Sequence, residues 1–265
     1  LPSSVINGFT ETSSILYIAT DGGVGRWDYA QADWMDSITA ANGLPTSIVE
    51  DILAVGTTVY MATPLGLVAW DETTGIATTI DSNDGLLGDS TWGLTVLNPG
   101  GINPMLVLAH DGRGAERPGV SIASLSSNAV DSTHRFDQLP SNTVTALASD
   151  WWGVHVATGS GPLTHWNSSS DEFEDGNAAM QTQPSVTGMV SDGEQLLAMT
   201  SLQSAILLEA RSGAHAVLGT FRPGEILDGT LGANHLWITT EEGLFGWENS
   251  GQYSPVEDYT MRRAH

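Results

Sequence analysis

Seven histidines, 8 arginines and 31 acidic side chains are the groups on this 265-residue chain able to do acid–base, ligand or ionic chemistry. The histidines stand at 110, 134, 155, 165, 215, 235 and 265, with neither H-x-x-x-H nor H-E-x-x-H spacing. No zinc site is therefore readable from local spacing. A serine nucleophile elbow and a phosphate-binding glycine loop are also missing from the sequence. One segment concentrates unusual chemistry. HDGRGAERPG, from His110 to Gly119, carries Arg113 and Arg117 together with Asp111 and Glu116. Paired guanidinium groups bind carboxylates, sulfates or phosphates bidentately, so His110, Asp111, Arg113, Glu116 and Arg117 form the candidate ligand-binding set. Ion pairs among the same residues, holding a long loop together, are the competing and blander account. Catalytic and metal-ligating residues are not assigned.

The elements that must position this loop come from a repeat. YIATDGGVGRW from Tyr17, YMATPLGLVAW from Tyr60, HVATGSGPLTHW from His155 and WITTEEGLFGW from Trp237 share one signature. Three copies extend backward without a gap, and Leu1, Leu44 and Leu139 each precede the closing alanine by 18 positions. Weaker copies run from about Leu86 and about Gln183, so that Ala19, Ala62, Ala109, Ala157, Ala198 and Thr239 align. Each unit reads as four short strands. In the second, the runs are Ile48 to Ala54, Thr58 to Thr63, Leu67 to Asp71 and Ile76 to Ile80, separated by Gly- and Thr-rich turns. Units of about 40–45 residues with four strands match a β-propeller blade.

The second strand carries apolar residues at both parities, which predicts burial on both faces between neighbouring sheets. His155 occupies the slot of Tyr17, Tyr60 and Trp237 and reads as a packed core residue. Trp27, Trp70, Trp166 and Trp247 recur at the third strand as bulky packing wedges. The expected fold is all-β, a propeller of six four-stranded blades at about 1–43, 44–85, 86–138, 139–182, 183–223 and 224–258. Residues 259–265 read as a tail or linker. A share of a seven-bladed or tandem propeller is the alternative.

LPSNTVTALASDWWGVHVATGSGPLTHW and LPTSIVEDILAVGTTVYMATPLGLVAW resemble the repeats of two-component regulator propellers. Asn142, Val144, Leu147, Asp150, Gly153, Ala157, Thr158 and Gly161 fall where that family's repeat pattern has them. The likeness is good in units one, two, four and six and loose in three and five. It implies extracytoplasmic sensor propellers, commonly seven-bladed and often in tandem, and it specifies blades far more than ligand.

Composition adds exclusions. The net charge is −23, and every basic residue is Arg. Such a charge repels nucleic acid and anionic membrane surfaces. A solvated acidic shell explains it most simply. Ca²⁺ is the cation that acidic loops would suit, but no D-x-[DN]-x-[DN]-G loop occurs, so no cofactor is assigned. DSNDGLLGDS from Asp81 and SSSDEFEDG from Ser168 read as turn chemistry. The absence of cysteine leaves the compartment open. No apolar run reaches membrane-spanning length, so no direct membrane insertion is expected. The chain opens on a Leu-Pro pair that elsewhere follows a preceding blade, which points to a cut within a larger precursor. Asn167-Ser168-Ser169 is a glycosylation sequon on a hairpin between third and fourth strands.

Two functions of different class follow. The favoured one is a non-catalytic extracellular, cell-surface or periplasmic propeller that binds a glycan, peptide or protein, or copies of itself, as part of a larger protein. The contrasting one is a propeller lyase or glycosidase acting on polysaccharide, because the fold hosts both. A structural subunit of a surface assembly is a third. Length, repeat and charge do not settle whether the chain is an enzyme.

Overall fold

The computed structural model describes residues 1–97, 104–110, 119–125, 127, 129–135, 139–141, 143–151, 153–161, 163–167, 172–175, 185–209, 217–221, 225–232, 235–241, 243–249 and 253–255. Arg113 and its loop neighbours Asp111, Glu116 and Arg117 lie outside them. The chain divides into two compact units, Leu1–Phe136 and Asp137–His265. Each contains three four-stranded antiparallel sheets whose strands follow one another in chain order.

In the first unit the sheets are β1 (Ile6–Glu11), β2 (Ile15–Thr20), β3 (Gly23–Asp28) and β4 (Asp33–Ile38); β5 (Asp51–Val55), β6 (Thr58–Thr63), β7 (Gly66–Asp71) and β8 (Ile76–Ile80); and β9 (Thr91–Leu97), β10 (Met105–His110), β11 (Gly119–Ser124) and β12 (Val130–Arg135). In the second they are β13 (Val144–Ser149), β14 (Gly153–Thr158), β15 (Thr164–Asn167) and β16 (Glu172–Asp175); β17 (Val186–Ser191), β18 (Gln195–Thr200), β19 (Ser204–Glu209) and β20 (Val217–Phe221); and β21 (Ile226–Gly232), β22 (His235–Thr240), β23 (Gly243–Asn249) and β24 (Tyr253–Pro255). Two single 3₁₀ turns, Ala40–Asn42 and Ser82–Asp84, are the helical elements among the described residues.

The repeat signature has a local physical cause. Thr63 Oγ1 donates to Gly66 O at 2.6 Å and accepts from Leu65 N at 3.2 Å, folding the turn between β6 and β7. Thr20 makes the same bond to Gly23 O at 2.7 Å. The glycine is required because Gly66 has φ +119°, and a Cβ there would stand 2.6 Å from Ile80 O. An L side chain would meet both a strained backbone and a collision. In the third sheet His110 takes the threonine slot, and its Nε2 lies 2.8 Å from Ser121 Oγ.

Successive sheets pack face to face through apolar side chains. Tyr17, Ala19 and Val24 of the first sheet join Ile52, Val59, Met61 and Val68 of the second in one cluster. Leu67 and Ile80 meet Leu106 and Leu108 of the third in another. In the second unit Ala146, Ala148 and Ala157 pack on Leu196, Ile206 and Leu208. Leu197 and Leu207 pack on Leu236 and Ile238. Small residues on one sheet let the larger ones on its neighbour approach, which fills the space between them.

The expectation of two buried faces holds for β6, β10, β14 and β18. Strands β2 and β22 differ. Their burial alternates, with Ile15, Tyr17 and Ala19, or Leu236 and Ile238, turned toward the neighbouring sheet. The opposite faces, including Leu16, Ile18 and Trp237, are partly exposed. Trp70 and Trp166 are buried wedges, whereas Trp27 and Trp247 are only partly covered. One alignment needs correction. Val186 pairs with Thr200 and Gly188 with Met199, as Ile6 pairs with Thr20 and Gly8 with Ala19. Met199, not Ala198, therefore fills the alanine slot of the fifth sheet. Its flexible thioether lies under Gly188, where a Cβ would come within 2.8 Å of Cε.

Candidate functional site

A buried cluster of Asp150, His155 and His165 is the most chemically loaded place among the described residues. The β13–β14 hairpin supplies Asp150 at its turn, where Asp150 N donates to Gly153 O at 3.0 Å. Asp150 Oδ1 accepts from Gly153 N at 2.7 Å, closing the turn from the other side. The carboxylate is thereby fixed with Oδ2 pointing at two imidazoles. His155 Nε2 lies 2.7 Å from it and His165 Nε2 3.5 Å.

Antiparallel pairing brings the two rings together. His155 on β14 stands directly opposite His165 on β15, with centroids 4.7 Å apart and planes tilted by 42°. Gly153 gives the room. A Cβ at that position would collide with Trp166 O and stand 2.7 Å from His165 Nε2. His155 also pairs across to Ala148, which packs against the fifth sheet. Trp151, at the same turn, lies over Gly193 of the next sheet's first hairpin.

Burial sets the electrostatics. The side chains of Asp150 and His155 are wholly enclosed, and His165 is 7% exposed. Removal from water pushes the His155 pKa below its ordinary value, outweighing the hydrogen bond with Asp150. The neighbouring His165 adds to the lowering. Burial therefore favours the neutral form of the His155 imidazole. Two imidazoles and one carboxylate also form a donor set suited to a transition metal.

The fifth sheet shows what is special here. Asp192 occupies the corresponding hairpin, and its Oδ1 accepts from Glu194 N and Gln195 N at 2.9 and 2.8 Å. That carboxylate oxygen serves the backbone. Asp150 divides its two oxygens between backbone and histidines.

His155 is packed, as its place in the repeat implies, yet its partnership with Asp150 and His165 is not visible in local spacing. The signal lay in the hairpin. The fourth unit has one residue more than the second between its Ala157 and Trp166. The strand pairing is nevertheless unchanged: His165, just before Trp166, faces His155 as Ala69, just before Trp70, faces Tyr60.

Of the sequence-derived set, His110 is fully buried at the end of β10, its ring 2.8 Å from Ser121 Oγ within the sheet, while Asp111, Arg113, Glu116 and Arg117 lie outside the described residues. Asn167 closes β15, partly buried and paired with Gly153 and Glu172, while Ser168 and Ser169 lie outside the described residues. The Asp81 segment is turn chemistry: Asp81 Oδ1 accepts from Asn83 N at 2.7 Å, and Asp84 Oδ2 from Asp81 N at 3.1 Å. A separate cleft of about 680 Å³ opens where the first hairpins of the first two sheets meet, lined by Glu11, Ser14, Thr57 and Glu72. Tyr29 Oη donates to Glu11 at 2.6 Å beside it.

No family model and no curated protein matches this sequence. Solved structures do match in fold. The extracellular domain of the hybrid two component system BT3049 from B. thetaiotaomicron matches all of this chain at 14% identity and a TM-score of 0.71. This chain spans only 36% of that one. The extracellular domain of the one component system BT4673 from the same organism matches 96% at 17% identity and a TM-score of 0.67, with 33% of its own length covered. The WD40 repeats of RRP9 match 95% at 15% identity and a TM-score of 0.73, with 79% of that chain covered. Among the described residues no helix is long and apolar enough to cross a membrane. At these identities the likeness establishes fold and nothing finer: this chain is all-β, built of repeated four-stranded antiparallel sheets of the β-propeller kind.

Proposed function

We propose that this chain is a non-catalytic propeller of six four-stranded blades, related to the two-component regulator repeats, that binds a ligand or protein partner within a larger extracellular or cell-surface protein. The observation that carries the reading is the full-length fold match to the extracellular domain of a two component system, of which this chain spans about a third. The repeat supports it, since the same Thr–Gly turn recurs from sheet to sheet while sequence novelty gathers in the third unit's loops. Loops on a rigid scaffold are where recognition concentrates. Burial of the one histidine–carboxylate cluster among the described residues also favours it, because an enclosed group meets no substrate.

Within this reading Arg113 and Arg117 recognise an anionic group on the partner, a carboxylate, sulfate or phosphate. Calorimetric titration with sulfated and carboxylated oligosaccharides and with acidic peptides tests it. Replacing both arginines by alanine should weaken binding at least about tenfold, the loss of two charge-assisted contacts. Turnover of an acidic polysaccharide that survives those substitutions and disappears on replacing a carboxylate would instead establish an enzyme.

A further inference from the structure

We propose that Asp150, His155 and His165 form a structural binding site for one divalent transition-metal ion of the zinc class, pinning the β13–β14 turn to β15. The proposal is independent of what the protein binds at its surface. Three donors from three places in the hairpin pair converge within 4.8 Å of one another. Both imidazoles present Nε2 to the same carboxylate oxygen, at 2.7 and 3.5 Å. Tetrahedral zinc with bonds near 2.1 Å sets its donors about 3.4 Å apart. Of the two carboxylate–imidazole separations, one is already close to that and the other needs to open by about 0.7 Å, while the two imidazole nitrogens lie within 4.8 Å of each other, all within reach of side-chain adjustment.

Donor chemistry narrows the ion. Calcium and magnesium take oxygen donors almost exclusively, whereas imidazole suits zinc, cobalt, nickel and copper. The surroundings are those of a supported site. Asp150 Oδ1 is held by Gly153 N–H at 2.7 Å, which leaves Oδ2 to the ion and fixes its direction. His155 is locked between Ala148 and His165 by strand pairing on both sides. Enclosure argues for a structural and not a catalytic ion, because no substrate reaches the fourth coordination position. The ion would enter as the unit folds, since its donors are brought together only by the pairing of β14 with β15.

The test uses the full chain produced without a histidine tag, refolded with zinc or with cobalt(II) and passed through a desalting column. About one equivalent of metal should remain per chain, and the cobalt form should show the intense visible absorption of a four-coordinate ion. His165→Gln should weaken cobalt binding by about a hundredfold or more, exceeding the usual effect of losing a supporting contact. Chelator present during refolding should lower the thermal midpoint of the natural chain and leave that of His165→Gln unchanged. Retention below about a tenth of an equivalent, with no visible cobalt band, would show that the cluster is a metal-free hydrogen-bonded triad. Undiminished affinity in His165→Gln would place the metal elsewhere and overturn the proposal equally. If the variant does not fold, the natural chain's stoichiometry and cobalt spectrum decide.

Discussion

Asp51 should make this protein lose stability between pH 4 and pH 7.5, and its replacement by asparagine should remove that loss. The carboxylate stands at the start of β5, where Oδ1 accepts from Ile52 N and Oδ2 from Leu94 N of the third sheet, each at 2.8 Å. A Cβ on Gly8 of the first sheet would lie 3.3 Å from Oδ1, so first strands of three sheets converge on one carboxyl. Burial there raises the Asp51 pKa from 3.8 to about 6, against the lowering by the Leu94 and Ile52 amides. The folded state thus holds its proton longer than the unfolded chain does. Stability from this group is full below pH 3.8 and is lost as pH rises through about 6. At about 1.4 kcal/mol for each unit of pKa, the change between pH 4 and 7.5 is about 2–3 kcal/mol.

The other carboxylates titrate over the same range, so the measurement is a difference. Urea unfolding of natural and Asp51→Asn chains across that range isolates the Asp51 contribution. At pH 4 the variant should be the less stable by about 1 kcal/mol, because an amide offers one acceptor where two backbone donors need satisfying. By pH 7.5 the order should reverse, the difference having moved by about 2–3 kcal/mol in the variant's favour. A difference that stays constant with pH, or moves the other way, would refute the claim that desolvation dominates at this carboxyl.

Two further substitutions probe the repeat and the cluster. Gly153→Ala drives a methyl group into Trp166 O and against the His165 ring, and should cost about 3 kcal/mol in urea unfolding, the upper range for overpacking. Thr63→Val keeps the shape but strips Leu65 N of its hydroxyl partner and leaves Gly66 O to the Thr91 hydroxyl at 3.2 Å. It should cost about 1–2 kcal/mol, seen as a lower urea midpoint with an unchanged slope.

Much of the fold is written in local chemistry. The A-T-x-x-G signature means a threonine hydroxyl closing a turn onto a glycine that no L residue can replace, and that bond needs only four consecutive residues. Strand limits in the second unit follow in part: β6 and β8 run as the sequence predicts, β7 begins one residue earlier, at Gly66, and β5 spans Asp51–Val55 where Ile48 to Ala54 is expected. Divergent units were less legible. Matching LLAMTS to its relatives by its alanine misplaced the slot by one residue. Strand register is set by cross-strand pairing and not by residue likeness, so the structure assigns the slot to Met199.

The sequence by itself determined an all-β chain of repeated four-stranded sheets, its turns and the core role of His155, because each rests on neighbours within one hairpin. Only the tertiary structure decided that Asp150 and His165 meet that histidine. Their juxtaposition depends on the antiparallel pairing of β14 with β15, and on a glycine that lets the strands close over it. It likewise decided that His110 is enclosed beside Ser121 and that Asp51 reaches Leu94 of the next sheet. Water is excluded by several sheets acting together, and a sequence read one strand at a time does not contain that sum.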